Sequence, residues 1–196
     1  MKKHSGLLLL RHKRRKQRRS MAYYYSAVHT WMNGGPEPTS VRDFQPNLDL
    51  RAISPRQRAV YRGVMAMILR NHSLDFWTRD EITAQMLNDE VNPVDDHHIF
   101  PQAFLNAQGK NATLRDCIIN RTFIDRKTNI RLSKTAPSIY FPEMRQTIAD
   151  DAKSDKLLRS HFLPEGPTSP LTQDQFEEFL EFRERALLAE IKDLTS

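Results

Sequence analysis

The residues with the clearest capacity for chemistry are two adjacent histidines, His97 and His98, in the run Asp95-Asp96-His97-His98-Ile99-Phe100-Pro101. Two asparagines, Asn120 and Asn129, follow nine residues apart. A neutral imidazole accepts a proton near pH 7 and is also a common metal ligand. A packed core does not need this combination, so the run predicts a functional site.

The elements around the pair are predicted to be two strands and a helix. Residues 94–100 form the first strand, residues 118–124 form the second, and a helix begins at Asn129 after a turn at residues 125–128. Adjacent side chains of a strand point to opposite faces, so His97 and His98 cannot do the same job. One is expected to bind a metal and the other to handle a proton.

Helices are predicted to surround this hairpin. Ser54-Pro55 is a helix start, and Thr78–Glu81 and Thr172–Gln175 have the pattern of capping boxes. The box at Thr78 predicts a helix as far as Leu87. Pro137 and Pro142 indicate a loop, and further helices are expected near residues 144–152, at 156–162 and from about 172 to near the C-terminus.

Length and composition indicate one domain with appendages. The chain has 196 residues, 39% of them hydrophobic, which suffices for one sizeable core. Its single cysteine, Cys117, excludes an internal disulfide framework and a multi-cysteine zinc cluster. This usage fits the cytoplasm, and no stretch is apolar for long enough to predict a membrane span.

The formal charge of +6 is concentrated at the N-terminus. Residues 1–19 contain nine Lys and Arg and no acidic residue, which leaves the remainder with a net charge of −3. The short apolar run at residues 7–10 lacks a cleavage site, so export is not expected. The basic run is interpreted as a disordered tail over residues 1–20, with sequence-independent phosphate binding as the alternative.

The run from His97 to Leu105, with Ile119-Asn120-Arg121 and Thr128-Asn129, resembles the ββα-metal motif of HNH endonucleases. It is similar to the HNH domain of RNA-guided CRISPR nucleases over about 40 residues. Over most of residues 54–194 the chain resembles the C-terminal nuclease half of GmrSD-type type IV restriction enzymes. The N-terminal, nucleotide-using half of those enzymes has no counterpart in this sequence.

The resemblance implies a role for each residue of the motif. His98 is the general base, His97 and Asn129 are the metal ligands, and Asn120 holds the hairpin and thereby orients the base. Asp96 is expected to orient His97 by accepting a hydrogen bond from the ring nitrogen that does not bind the metal. An alternative register, in which Asp96 and His97 act as ligand and base, stays open.

The resemblance also implies the cofactor and the substrate. The cofactor is a divalent metal, with Mg²⁺ the first choice and Mn²⁺ or another transition metal the competitor. The substrate is DNA. Five basic residues around the site are candidates to contact its phosphates, with a solvated charged face as the alternative reading: Arg121, Arg126, Lys127, Arg131 and Lys134.

The sequence therefore predicts a mainly α-helical α+β protein with a small ββα-metal finger at residues 94–135. Residues 1–20 form the tail, 21–53 a loosely ordered helix and loop, and 54–196 the nuclease domain. The predicted function is a metal-dependent DNA endonuclease of a restriction or defence system, with specificity supplied by a separate subunit or lost by truncation. The alternative is a catalytically decayed remnant that binds DNA or docks on a partner.

Overall fold

A computed structural model describes residue 26 and residues 29–37 and 48–195. The chain divides into two compact units, residues 47–191 and residues 1–46 with 192–196. In the second of these, residues 29–32 are helical and a turn follows, in which Gly35 N donates to Thr30 O (3.0 Å). The predicted tail, residues 1–20, lies outside the described residues.

Residues 47–191 contain a two-stranded sheet among helices, which confirms a mainly helical α+β class. The strands are β1 (Val94–His98) and β2 (Arg121–Asp125). The helices are α1 (Arg58–Arg70), α2 (Gln102–Ala107), α3 (Ala112–Arg115), α4 (Arg126–Leu132), α5 (Pro137–Ile148), α6 (Asp151–Ser160) and α7 (Phe176–Leu194), and short 3₁₀ turns occupy Leu50–Ala52, Ala84–Asn88 and Ile118–Asn120. The predicted order of strand, excursion, strand and helix is confirmed.

The two strands pair antiparallel, with His97 opposite Thr122 and His98 opposite Arg121. Since side chains alternate along a strand, the hairpin has two distinct faces. Asp95, His97, Thr122 and Ile124 form the inner face, and Asp96, His98, Arg121 and Phe123 form the outer face. As predicted, the two histidines point in opposite directions.

The core lies against the inner face. Phe76, Tyr140 and Phe141 pack on one another beside His97, and Phe100 packs on Phe176 and Phe179. The aromatic groups come from α5, α7 and the loop after α1. These side chains are buried almost completely, so the hairpin is fixed by burial of large apolar surfaces.

A fully buried arginine joins α7 to the hairpin. The Arg183 guanidinium donates to the backbone carbonyls of Ile119 and Arg121, and its Nε donates to His161 O (3.1 Å). Burial lowers the pKa of Arg183 to about 9. The carbonyls at both sides of Asn120 are thereby held by one side chain.

The predicted start of α1 at Ser54 is wrong by one turn. Ser54 donates through both N and Oγ to Gln57 Oε1 (2.9 Å each), which closes a separate turn. Gln57 occupies the position before the first helical residue, and α1 begins at Arg58. The serine and proline therefore form a turn before the helix.

Neither predicted capping box begins a helix. Thr78 Oγ1 accepts from Asp80 N (3.3 Å), and Arg79 has φ +66°, so the chain turns there. The second box fails because Thr172 Oγ1 donates backward to Pro167 O (2.9 Å). The helical turn at Ala84–Asn88 and the helix α7 begin later than the boxes predict.

The two prolines expected in a loop lie in α5. Pro137 is its first residue, where no N–H is needed, and Pro142 lies inside the helix. Pro142 forfeits one helical hydrogen bond. Tyr140, between them, donates through its hydroxyl to Ile99 O (2.7 Å), so α5 fixes the end of β1.

Helix α4 begins at Arg126, three residues before its predicted start. Asp125 caps it by accepting from Lys127 N (2.7 Å). Buried Asp75 accepts from Asp125 N and Thr128 Oγ1 (2.7 Å each), which anchors the first turn. The predicted turn is thus the first turn of the helix.

None of the described helices has the length and apolar content needed to cross a membrane.

Candidate functional site

The inner face of the hairpin brings His97 and Asn129 together. His97 Nδ1 lies 2.8 Å from Asn129 Oδ1, and Asn129 Nδ2 donates to Asp95 Oδ2 (2.9 Å). Because the Asn129 amide nitrogen binds the carboxylate, its oxygen faces the imidazole, and Nδ1 carries the proton of this hydrogen bond. Asp95 also accepts from Arg126 Nε (3.1 Å).

Burial controls the charge of His97. The ring is 3% exposed and lies at the edges of Phe76 and Tyr140, with centroid distances of 6.3 and 6.5 Å. Loss of solvation lowers the pKa of His97 to about 4, against a smaller opposing contribution from Asn129. The imidazole is therefore neutral at pH 7, the form that binds metals.

The spacing of this pair, a hydrogen-bond distance, is also close to the separation of two ligands of one divalent ion. Two neighbouring ligands of an octahedral ion with bonds of about 2.1 Å lie about 3 Å apart. The 2.8 Å between His97 Nδ1 and Asn129 Oδ1 matches that separation. Binding at Nδ1 would require the His97 proton to move to Nε2, which is buried without a hydrogen-bond partner among the described residues, and Asp95 would supply negative charge beside the ion.

No cluster of three or more His, Cys, Asp or Glu able to hold a metal occurs among residues 29–37 and 48–195. The pair His97–Asn129 contains only one residue of those types, so it is not such a cluster. Asp95 was not among the predicted site residues. Its position two residues before His97, on the same face of a strand, was the available signal.

The outer face holds His98 within a polar cluster. His98 Nε2 lies 3.2 Å from Asp116 Oδ1 and 2.8 Å from Gln102 Nε2. Asp116 Oδ1 also accepts from Gln102 Nε2 (3.1 Å) and from Arg121 Nη2. His98 Nδ1 makes no hydrogen bond to the described residues, so it is the ring nitrogen left for another ligand.

The charges around His98 favour a neutral imidazole beside a charged carboxylate. Burial and then Arg121 lower the pKa of His98, and these outweigh the opposing effect of Asp116. Burial raises the pKa of Asp116, but the hydrogen bond from Arg121 outweighs it, and the net shift is downward. Gln102 Nε2 donates and Asp116 Oδ1 accepts, so these two contacts favour opposite tautomers of His98. In the tautomer with the proton on Nε2, that proton binds Asp116 and Nδ1 is the proton acceptor.

The expected support of His97 by Asp96 is not observed. Asp96 lies on the outer face, and its carboxylate accepts from the Tyr61 hydroxyl and from Arg121 Nη1 (3.2 Å). Adjacent strand residues cannot share a face, so Asp96 cannot reach the ring of its neighbour. Asn129 and Asp95 orient His97 instead.

Asn120 is completely buried and fixes the chain that follows His98. Its Oδ1 accepts from Phe100 N (2.8 Å), and its Nδ2 donates to Phe100 O and Arg115 O (2.9 Å each). Asn120 O also accepts from Ile99 N (3.0 Å). One side chain thus joins the end of β1, the excursion and the start of β2.

The five predicted phosphate-contacting residues differ in availability. Arg121 is 9% exposed and bound to Asp96 and Asp116, so it organises the His98 cluster. Arg131 stacks on Trp77 (3.8 Å to the ring centroid) and pairs with Glu143 (2.9 Å). Arg126, Lys127 and Lys134 are exposed. Arg126 pairs with Asp95, and neither lysine forms an ion pair with a described residue.

A polar cleft of about 410 Å³ beside Asp116 and Gln102 was also missed. Arg56 and Arg115 line it, together with hydroxyl and amide groups. Arg115 Nη1 donates to Asn106 Oδ1 (2.9 Å), and its buried Nε has no hydrogen-bond partner in the described part of the chain. The cleft therefore places two arginines and the Asp116 carboxylate next to His98, and no sequence pattern locates it.

A comparison with curated proteins finds a relative in the archaeon Methanocaldococcus jannaschii, the uncharacterized protein MJ0686. The two are 31% identical over 197 aligned residues. The alignment covers 88% of this chain and 33% of the relative, so the chain spans about a third of its length. No protein-family model and no solved structure matches the chain.

Proposed function

We propose that this chain is a metal-dependent DNA endonuclease of the HNH class, the nuclease part of a restriction or defence system. The observation that carries the proposal is a half-buried neutral histidine, His98, held at Nε2 by Asp116 with Nδ1 free of hydrogen bonds to the described residues. A pair of metal-compatible ligands, His97 of β1 and Asn129 of α4, meets on the opposite face of the hairpin.

In the proposed reaction His98 Nδ1 takes a proton from water, and the resulting hydroxide attacks the phosphorus of a phosphodiester. The bond to the 3′ oxygen breaks, and that oxygen leaves with the electron pair and is protonated from solvent. Asp116 stabilises the imidazolium that forms. A divalent ion held by His97 and Asn129 would supply Lewis-acid stabilisation of a leaving oxygen, and it would act from the inner face of the hairpin, opposite to the face of His98.

Positive groups in the cleft beside Asp116 and in the segment that carries Asn129 support a nucleic-acid substrate. Arg56 and Arg115 line the adjoining cleft, and exposed Lys127 and Lys134 lie in and just after the helix that carries Asn129. Phosphates of a DNA backbone are the ligands that such residues bind most often in DNA-binding proteins. The basic run at residues 1–19 adds further positive charge to the chain.

Cleavage of supercoiled plasmid in Mg²⁺ or Mn²⁺, with EDTA as the metal-free control, tests the proposal. The unmodified chain is expected to nick or cut, and His98→Ala is expected to lose at least about a hundredfold in rate while its circular dichroism is unchanged. His72→Ala, an exposed histidine paired with Glu81, is the matched control and should cleave normally. Equal cleavage by His98→Ala would overturn the assignment of the base.

The same preparation discriminates the non-catalytic alternative. A decayed remnant would bind DNA with strong salt dependence and without metal, would lose that affinity when residues 1–19 are deleted, and would be insensitive to His98→Ala. Binding of this kind without cleavage under any divalent metal would contradict the proposed nuclease.

A further inference from the structure

A groove of about 810 Å³ runs along α1 beside the outer face of the hairpin. We call it the α1 groove. Its apolar lining includes Met65, Leu69, Leu87 and Phe123, and its described lining contains no acidic residue. Its volume is in the range of pockets that hold small organic ligands.

The α1 groove adjoins the His98 cluster through Tyr61 and Asp96. Tyr61 lines the groove and donates its hydroxyl to Asp96, on the same face of β1 as His98. Phe123 lies opposite Asp96 in the hairpin register and two residues from Arg121. Two residues of a strand span about 7 Å, so an aromatic ring stands close to the candidate base along the same face.

Two arginines on α1 give the groove a positive charge. Arg58 and Arg62 both line it, both are exposed, and neither forms an ion pair with a described residue. They are four positions apart, so they project from the same side of the helix. A ligand that matches the groove therefore combines negative charge with a flat apolar part.

We propose that the α1 groove binds an unstacked nucleotide of the strand that is cut, adjacent to the phosphate at His98. The base would lie on Phe123 and Met65, and its phosphate would face Arg58 and Arg62. This inference rests on the proposed nuclease function. A base inside an intact duplex cannot enter such a groove, so the substrate class is DNA with an unpaired or extruded nucleotide at the cleavage position.

The occupant is a nucleotide and not an acidic peptide because of the position of the groove. Its aromatic wall belongs to the strand that also carries Arg121, the partner of Asp116. A ligand seated there lies within one nucleotide length of the site proposed for phosphodiester hydrolysis. Stacking on an aromatic face tolerates any base, so the groove would select unpaired structure over sequence.

The test measures binding of labelled 20-nucleotide DNA by fluorescence anisotropy, with the full chain carrying His98→Ala to prevent cleavage in Mg²⁺. The probes are a single strand, a perfect duplex and a duplex with one unpaired nucleotide. Ala66→Trp fills the groove from an exposed position of its lining, and Gly63→Trp places the same ring on an exposed position of α1 outside the lining. Arg58→Gln with Arg62→Gln is compared with Arg70→Gln on the same helix.

The single strand and the bulged duplex are expected to bind more tightly than the perfect duplex. Ala66→Trp is expected to lower affinity for those two probes by at least about tenfold, and Gly63→Trp is not. Phe123→Leu, which keeps apolar volume but removes the aromatic face, is expected to lower affinity similarly. Equal affinity of Ala66→Trp and Gly63→Trp for every probe would overturn the proposal and leave the groove to a peptide partner.

Failure of the two proposals can be told apart. If the unmodified chain cleaves DNA but the groove variants bind every probe like their His98→Ala parent, the nuclease stands and the nucleotide groove is refuted. If unpaired nucleotides bind through the groove but no metal supports cleavage, the binding site stands and the nuclease is refuted.

Discussion

Asp116 Oδ1 lies 3.2 Å from His98 Nε2, and the same oxygen accepts hydrogen bonds from Arg121 and Gln102. A carboxylate held by an arginine keeps its negative charge and cannot rotate away from the imidazole. When His98 Nε2 carries the proton, this carboxylate accepts it in a hydrogen bond, and Nδ1 is the nitrogen left to take a proton. This relationship crosses from the excursion between the strands to the end of β1.

Asp116→Asn is expected to lower kcat by at least about tenfold with little change in KM, because the amide no longer stabilises the imidazolium. Asp116→Glu, which restores the charge, should recover part of the loss. Steady-state cleavage of a defined oligonucleotide measures both constants. Asp193→Asn, which changes an exposed carboxylate near the end of α7, is the control. A uniform rise in KM with kcat unchanged would assign Asp116 to DNA binding instead.

Asn120→Ala is expected to destabilise the fold by about 3 kcal/mol, because it leaves Phe100 N, Phe100 O and Arg115 O buried without partners. Asn120→Asp keeps the acceptor but removes both donors, so it should also destabilise. Urea unfolding at pH 7 gives the free energies. Asn88→Ala, in an exposed 3₁₀ turn, should change stability by less than about 0.5 kcal/mol. An equally small change in Asn120→Ala would contradict the structural role.

Asn129→Ala is expected to weaken Mn²⁺ binding at least about tenfold, because it removes one of the two candidate ligands beside His97. Asp95→Asn should weaken it by roughly tenfold through loss of charge and of the hydrogen bond that orients Asn129. Titration of free Mn²⁺ by electron paramagnetic resonance measures this without any activity. Unchanged affinity in both variants would place the ion elsewhere.

The buried histidine of the core predicts a loss of stability in acid. His161 accepts from Thr122 Oγ1 (2.6 Å) and donates to Leu74 O (2.7 Å), and burial lowers its pKa to about 3. The unfolded chain binds this proton below about pH 6.5, whereas the folded chain does not bind it until near pH 3. The contribution of His161 is therefore complete above pH 6.5 and declines by about 1.4 kcal/mol per pH unit below it.

Urea unfolding between pH 7 and pH 4.5 measures that slope. His161→Gln, which cannot titrate, should be less stable at pH 7 but should show a shallower decline. Parallel slopes in the two proteins would assign the acid sensitivity to other groups.

Local patterns predicted the hairpin and the opposite faces of His97 and His98, because strand alternation is a property of neighbouring residues. The helix starts predicted at Ser54, Thr78 and Thr172 were wrong, because the partners that these hydroxyls find are not part of the capping pattern. Each hydroxyl has a competing backbone or side-chain partner. Asp75 accepts from Thr78 N, the amide that Glu81 would bind in a capping box, and Asp174 binds Ser138 in the first turn of α5. A capping pattern cannot show such competition.

The residues that surround the proposed base, His98, could not be predicted from the sequence. Asp116 and Tyr61 lie 18 residues after and 37 residues before His98, at no periodic spacing, and they meet its face through tertiary packing. Asp95 was within reach, since alternation alone places it beside His97. The burial of Arg183 could not be predicted either, because a charged residue in a core follows no hydrophobic pattern.

Arg183 has a consequence for the portability of this site. Because it fastens the last helix to the carbonyls of Ile119 and Arg121, a peptide cut to residues 94–135 would lack the clamp on both sides of Asn120. Grafting those residues into a foreign scaffold would transfer the chemical groups without the rigidity that aligns them. The functional unit is therefore the hairpin together with α7. Recombination between the segments that encode them would separate the proposed site from the helix that holds it rigid.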